Sequence, residues 1–201
     1  SVQAGGIRTD FSTTQTLASL SVSSLVHVGP ASSVTLSTKA LAFTGGHLEL
    51  LGVRIVVDYT VTSTIGDVQT AISNGNLSHT GTPPGYVLAY GESSDLFPGA
   101  TGPFGGLTID DSSVVVAYTV IGDANLSGNV DSTDFAKLVS TYGTLSGARW
   151  TQADFDGDGK VSTLDFNILA GNFGAQAAPM LGSLVPEPAS ALLIAVAAAS
   201  L

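Results

Sequence analysis

Apolar and polar positions alternate along the first sixty or so residues. Leu17, Leu20 and Val22 begin the pattern. Leu25, Val26 and Val28 follow, then Val34 and Leu36, Leu41 and Phe43, Leu48 and Leu50, and finally Ile55, Val57, Tyr59 and Val61. A period of two sends alternate side chains to opposite faces of an extended chain, and glycine or serine interrupts the runs roughly every six to ten residues. Short strands that repeat without long crossovers predict either a sandwich or the end of a β-solenoid, with the solenoid favoured. From Ser63 the spacing changes: Ile65, Val68 and Ile72 share one helical face, Ser63 or Thr64 stands where a cap is needed, Asp67 falls in the first turn and Gly75 just past the end. Two further strands, over 86–90 and 114–120, flank a Gly/Pro-rich loop over 97–106. The stretch 63–120 is therefore expected to cap the open end of the β-stack, because a bare terminal edge invites aggregation. Helical periodicity returns twice more, at Phe135, Leu138, Val139 and Tyr142 and at Phe166, Leu169, Ala170 and Phe173.

Those two helices close a repeat. Asp123, Asn125, Ser127, Gly128, Val130 and Asp134 correspond to Asp154, Asp156, Asp158, Gly159, Val161 and Asp165 at a constant offset of 31 residues. Each unit offers side-chain oxygens at loop positions 1, 3, 5 and 12, a glycine at 6 and a valine at 8. This is the ligand spacing of a twelve-residue calcium loop. A hard cation needs about six to eight oxygens, more than one helix or strand can turn inward, whereas a tight loop adds a backbone carbonyl to its alternate side chains. Asn129 and Lys160, at position 7, would give that carbonyl. Asp131 and Ser162, at position 9, would act through a water. Val130 and Val161 are expected to pair across the loops. One such cluster would read as a turn rich in Asp, Asn, Ser and Gly; two in the same grammar read as a pair of calcium sites.

The segment before Asp123 has the pattern of a strand, whereas an ordinary EF-hand has a helix on both sides of its loop. A loop and exit helix repeated once resembles a type I dockerin, the small module that plugs into cohesin domains on bacterial scaffolds. The resemblance implies two calcium ions and a cohesin-like partner. It also implies that recognition uses the residues just before position 12, here Ser132-Thr133 and Thr163-Leu164, with the first pair preferred. Docking of the unit on its own β-region is the alternative. Wording such as Ser33-Val34-Thr35-Leu36-Ser37-Thr38 is similar to the autotransporter-type strand repeats of bacterial surface proteins.

Charge sharpens the picture. Sixteen acidic residues face six Lys and Arg, for a net charge of −10. Seven of the sixteen lie between Asp123 and Asp165, so the acidity is densest where a cation is expected. An acidic chain lacks the basic face that nucleic acid requires. With no cysteine there is neither disulfide, thiol catalysis nor zinc-thiolate site. His27, His47 and His79 are scattered, and Asp110-Asp111 point to opposite faces of an extended chain, so no catalytic set is assigned. Trp150 is expected to anchor the second loop.

The C-terminus changes character again. Pro186-Glu187-Pro188 precedes an apolar run over 189–201, which resembles a PEP-CTERM sorting signal, handled in that family by a membrane exosortase. The run is shorter than the ~20 residues a spanning helix needs, and no Lys or Arg follows Lys160. The chain is read as the C-terminal piece of a longer exported protein with transient membrane association. Its expected fold is mainly β: solenoid rungs over 1–62, a capping α+β segment over 63–120, a small α-helical dockerin-like calcium domain over 121–175, a linker over 176–184 and a sorting tail over 185–201. The expected role is non-catalytic attachment at the cell surface. The alternative is a tether for a polysaccharide-degrading enzyme whose catalytic domain lies upstream.

Overall fold

A computed structural model describes residues 7–9, 13–29, 34–79 and 84–177. The chain runs through β1 (Ile7–Thr9), β2 (Gln15–Leu17), β3 (Leu20–Val22), β4 (Leu25–Val28), β5 (Thr35–Thr38), β6 (Leu41–Phe43), β7 (His47–Leu50) and β8 (Arg54–Asp58). Helix α1 (Ile65–Ser73) follows, then β9 (Leu77–His79), β10 (Tyr86–Glu92), a single turn α2 (Ser93–Leu96), β11 (Gly102–Phe104), β12 (Leu107–Ile109) and β13 (Ser113–Val120). The last elements are α3 (Ser132–Thr141), a 3-10 turn (Trp150–Gln152) and α4 (Thr163–Asn172). The sequence pattern anticipates most of these, including α1: Ser63 Oγ accepts from Ile65 N at 3.1 Å, and Gly75 ends the helix with φ +75°. The Pro186-Glu187-Pro188 motif lies outside the described residues.

The expected β-solenoid is not formed. The strands fall into four sheets, ordered β1-β4-β7-β9, β10-β13-β8-β5-β2, β11-β12 and β3-β6. Strands up to β8 pair in parallel with like residues in register, as in Leu36↔Ile55 and Leu20↔Leu41. The five-stranded sheet then turns mixed, because β13 joins β8 antiparallel and β10 joins β13 antiparallel. The β3-β6 ladder stops at two strands: Val61, expected to extend the pattern, is 90% exposed, and the chain turns into α1 just beyond it. Strands of the 63–120 stretch cover the edges left by the parallel strands, β9 on β7 and β13 on β8, and widen two open sheets where the end of a solenoid was expected.

The central sheet explains why 114–120 reads as a continuous apolar run. Val114 and Val116 of β13 face a core shared with Leu36, Leu48, Ile55 and α1's Val68. Val115 and Ala117, on the opposite face, belong to a second core with Trp150, Phe155, Leu138 and Leu169. A strand covered on both sides loses its alternation. In this second core the helices and loops beyond Gly122 pack on the sheet, the docked arrangement kept open as the alternative on sequence.

Candidate metal centre

Strand β13 delivers the first loop. Only Ile121 and Gly122 separate Val120 from Asp123, so the first carboxylate of loop 1 is set by the end of the central sheet. Asp123 is fully buried; its Oδ1 accepts from Ser127 N at 3.1 Å, and its Oδ2 from Gly128 N at 2.7 Å and from the Thr119 hydroxyl. Asp134, also fully buried, accepts from Ala124 N at 2.9 Å and Asn125 N at 3.1 Å, and from Asp131 N at 2.9 Å.

Loop 2 repeats the network at position 12, and at position 1 it keeps the position-6 donor but takes its second amide from position 4 in place of position 5. Asp154 accepts from Gly157 N and Gly159 N, both at 2.9 Å. Asp165 accepts from Phe155 N and Ser162 N, both at 2.8 Å. Gly128 and Gly159 sit at φ +91° and +80°, where a side chain would be strained, and this turn brings their N–H groups onto the position-1 carboxylates. At position 4 the loops diverge. Gly157 takes φ +76° freely, whereas Leu126 takes φ +58° at a cost of roughly 1–2 kcal/mol, offset by burying its side chain in the second core.

Position 9 caps the exit helices. Asp131 Oδ1 accepts from Thr133 N at 2.7 Å and Ser162 Oγ from Leu164 N at 3.1 Å, and in each repeat the position-12 aspartate completes a capping box. Ser127 Oγ lies 3.4 Å from the Asn129 carbonyl, so positions 5 and 7 of loop 1 are adjacent. Lys160 Nζ lies 3.5 Å from Asp158 Oδ2, a solvent-facing pair. Val130 and Val161 are both buried, but their backbones do not pair with each other. Val130 bonds Gly174 and Ala175, and Val161 bonds Gly143 and Thr144. Each loop is thus tied to the chain that leaves the other repeat's helix.

The electrostatics suit a cation. Burial pushes the carboxyls of Asp123, Asp134 and Asp154 above the usual carboxylate range, Asp123 to about 6, against the downward pull of their hydrogen bonds. Asp154, Asp156 and Asp158 each place an oxygen within 4.8 Å of the others. An all-oxygen set of this kind is one a hard divalent cation accepts.

Residues 121–173 match the family model of the dockerin type I domain. The match covers 53 of the chain's 201 residues and supports a calcium-binding, protein-attaching module over that stretch. No curated protein and no solved structure matches the chain. No helix among the described residues is long and apolar enough to cross a membrane.

The dockerin-type module is held to the sheet by Trp150, expected as the anchor of the second loop, and by residues that carry no sequence signal. Trp150 Nε1 donates to the Asp123 carbonyl at 2.7 Å, and its ring lies edge-on to Phe155. Asp95 on α2 accepts from Thr151 Oγ1 at 2.8 Å and Gln152 Nε2 at 3.2 Å, with the Arg149 guanidinium at 3.7 Å. Lys137 Nζ reaches the Asp95 carbonyl at 2.8 Å. A Cβ on Gly91 would lie 2.1 Å from Thr151 Cγ2, so β10 and the 3-10 turn meet with no space between them. Away from the module, His27 pairs with Glu49, and His47 Nε2 lies 2.8 Å from Ser78 Oγ.

Proposed function

We propose that this chain is a non-catalytic attachment segment of an exported bacterial surface protein. Two loops bind calcium, and α3 and α4 present the surface that a protein partner reads. The carrying observation is the duplicated network of buried position-1 and position-12 carboxylates, with the position-6 amide on the first and the amides of positions 2 and 9 on the last in both repeats, and with desolvation raising Asp123, Asp134 and Asp154. Loop 1 would use Asp123, Asn125, Ser127, the Asn129 carbonyl and Asp134, with Asp131 through water. Loop 2 would use Asp154, Asp156, Asp158, the Lys160 carbonyl and Asp165, with Ser162 through water. Loop 2 has four carboxylates against two direct ones in loop 1, and affinity rises with ligand charge, so loop 2 fills first.

The module shares its core with the sheet, so the test uses the whole chain. Titration calorimetry should show two calcium sites of unequal strength, with Asp154→Ala removing the tighter and Asp123→Ala the weaker. Absence of calcium-dependent heat and of any change in melting temperature sinks this reading.

The attachment surface has two faces. Ser132 and Thr133 are exposed, but Thr133 borders a cleft whose far wall is the β11–β12 hairpin. Thr163 and Leu164 stand on the other face, with Leu164 59% exposed. This crowding favours the second face for a folded, cohesin-like partner, in place of the first face preferred on sequence. Leu164→Arg should weaken capture by a cohesin domain at least tenfold, and Thr133→Arg should not; the opposite ranking reverses the assignment. Exosortase-type sorting through Pro186-Glu187-Pro188 belongs to the same reading and stands on the sequence alone.

A further inference from the structure

Between the β11–β12 hairpin and α3 lies an open cleft of about 990 Å³. Its hairpin wall ends in Gly105-Gly106, both at positive φ, the two-residue turn that joins Phe104 to Leu107. Those glycines bring bare backbone to the rim. The walls are mostly apolar: Leu96, Phe97 and Pro103 on the sheet side, Leu126 and Ala136 on the module side. Into this apolar space come two of the chain's six Lys and Arg residues, Arg54 from the start of β8 and Lys137 from α3. Among the described residues the Arg54 guanidinium has no hydrogen-bond or ion-pair partner. Lys137 gives its ammonium to a neutral backbone carbonyl. The one carboxylate of the cleft, Asp95, is engaged by Thr151, Gln152 and Arg149. The cleft thus carries uncompensated positive charge in a chain whose net charge is −10.

We infer that this cleft binds an extended peptide segment with a carboxylate side chain between apolar residues. The carboxylate meets the Arg54 fork and the Lys137 ammonium. The flanking side chains cover Leu96, Phe97 and Leu126, and the peptide backbone lies along Gly105-Gly106. Guanidinium and carboxylate match as planar, two-point partners, and their bond strengthens where apolar walls exclude water. A polyhydroxylated acidic sugar would satisfy the charge but leave those apolar walls without a partner. The site is a trough between the β11–β12 hairpin and α3, bordered by Thr133, and lies apart from the second attachment face at Leu164.

The experiment is fluorescence anisotropy on the full chain. The probe is a labelled octapeptide with one glutamate among leucines and prolines, and its glutamine twin is the control. The acidic probe should bind at least tenfold more tightly than the twin, and more weakly at high salt. Arg54→Gln should erase that difference with the melting temperature unchanged, and Arg54→Lys should restore part of it. Ala136→Trp, which fills the cleft from α3, should abolish binding of both peptides and serves if Arg54→Gln fails to fold. Equal binding of the twins, or an Arg54→Gln variant that still discriminates, overturns the proposal. Displacement of the probe by tri-galacturonate but not by unlabelled acidic peptide assigns the cleft to acidic sugars and overturns it too. The arms are run in calcium and in chelator; the charge on Arg54 needs no metal, so this reading and the calcium reading fail separately.

Discussion

Asp95→Ala tests whether the sheet and the dockerin-type module are one folding unit. The carboxylate is 14% exposed and holds Thr151 at 2.8 Å, Gln152 at 3.2 Å and Arg149 at 3.7 Å. Removing it strands the hydroxyl of Thr151, a fully buried residue. It leaves the Lys137 contact in place, since that contact uses the Asp95 carbonyl. A hydrogen bond to a charged acceptor contributes about 1.5–3 kcal/mol, and an unsatisfied buried hydroxyl costs about 1–3 kcal/mol. These terms share partners and do not add, so the net loss is about 3 kcal/mol. For a chain of this size each kcal/mol lowers the melting temperature by roughly 2–4 °C, which gives a fall of roughly 6–12 °C. Scanning calorimetry in calcium should show one transition in the parent chain and one lower transition in the variant. Hydrogen exchange should rise together in β10 and in the Trp150–Gln152 turn. Asp95→Asn keeps the Thr151 bond and should lose about half as much. A fall below about 2 °C, or β10 amides that stay protected after the module has melted, refutes the single-unit reasoning.

Two further outcomes follow from the same contacts. Asp123 is raised to about 6 in the calcium-free fold, so the folded state holds its proton more tightly than the unfolded one. The resulting stability loss is absent below about pH 4 and complete above about pH 6, worth at most about 3 kcal/mol. In chelator, melting temperature should therefore fall between pH 4 and 6, and Asp123→Asn should flatten that slope, while in calcium the trend should weaken or reverse because the ion requires the carboxylate. Gly91→Ala should cost about 2–3 kcal/mol by chemical denaturation, because its Cβ would strike Thr151, and Thr151→Ala should recover part of that loss.

The two repeated loops and their capped exit helices were legible because their chemistry is local. Twelve consecutive residues fix the donors, the turn and the helix cap, and the 31-residue offset lets one copy check the other. The strand leading into Asp123 was legible for the same reason, as was α1. Sheet topology was not. A period of two assigns faces but not neighbours, so Leu36 and Ile55 read alike whether the next strand is parallel or antiparallel. The run over 114–120 announces that both faces are covered without saying by what. Val130 and Val161 share one buried core, as their apolar character implied, but their backbones do not pair because each is claimed by the chain leaving the opposite helix. Asp95, Arg54 and Lys137 were silent: they are single residues in unrelated elements, and only the docked arrangement brings them together.

That arrangement changes what calcium can do here. In a freely tethered module an ion would stabilise the module alone. Here the carbonyl of the first ligand residue, Asp123, accepts from Trp150, and its carboxylate accepts from Thr119 on the central strand. Trp150 in turn packs in the core that Val115 and Ala117 share. An ion that holds the Asp123 carboxylate therefore acts on the end of β13 and on the turn that grips Asp95. At free calcium a hundredfold above its dissociation constant, one site contributes about 2.7 kcal/mol to whatever unfolds with it. If the unit is single, that stabilisation reaches the strands of the central sheet, and β13 amides should exchange more slowly in calcium than in chelator. If only α3, α4 and the loops respond, the module is docked but not coupled, and the sheet keeps its own stability whatever the metal does.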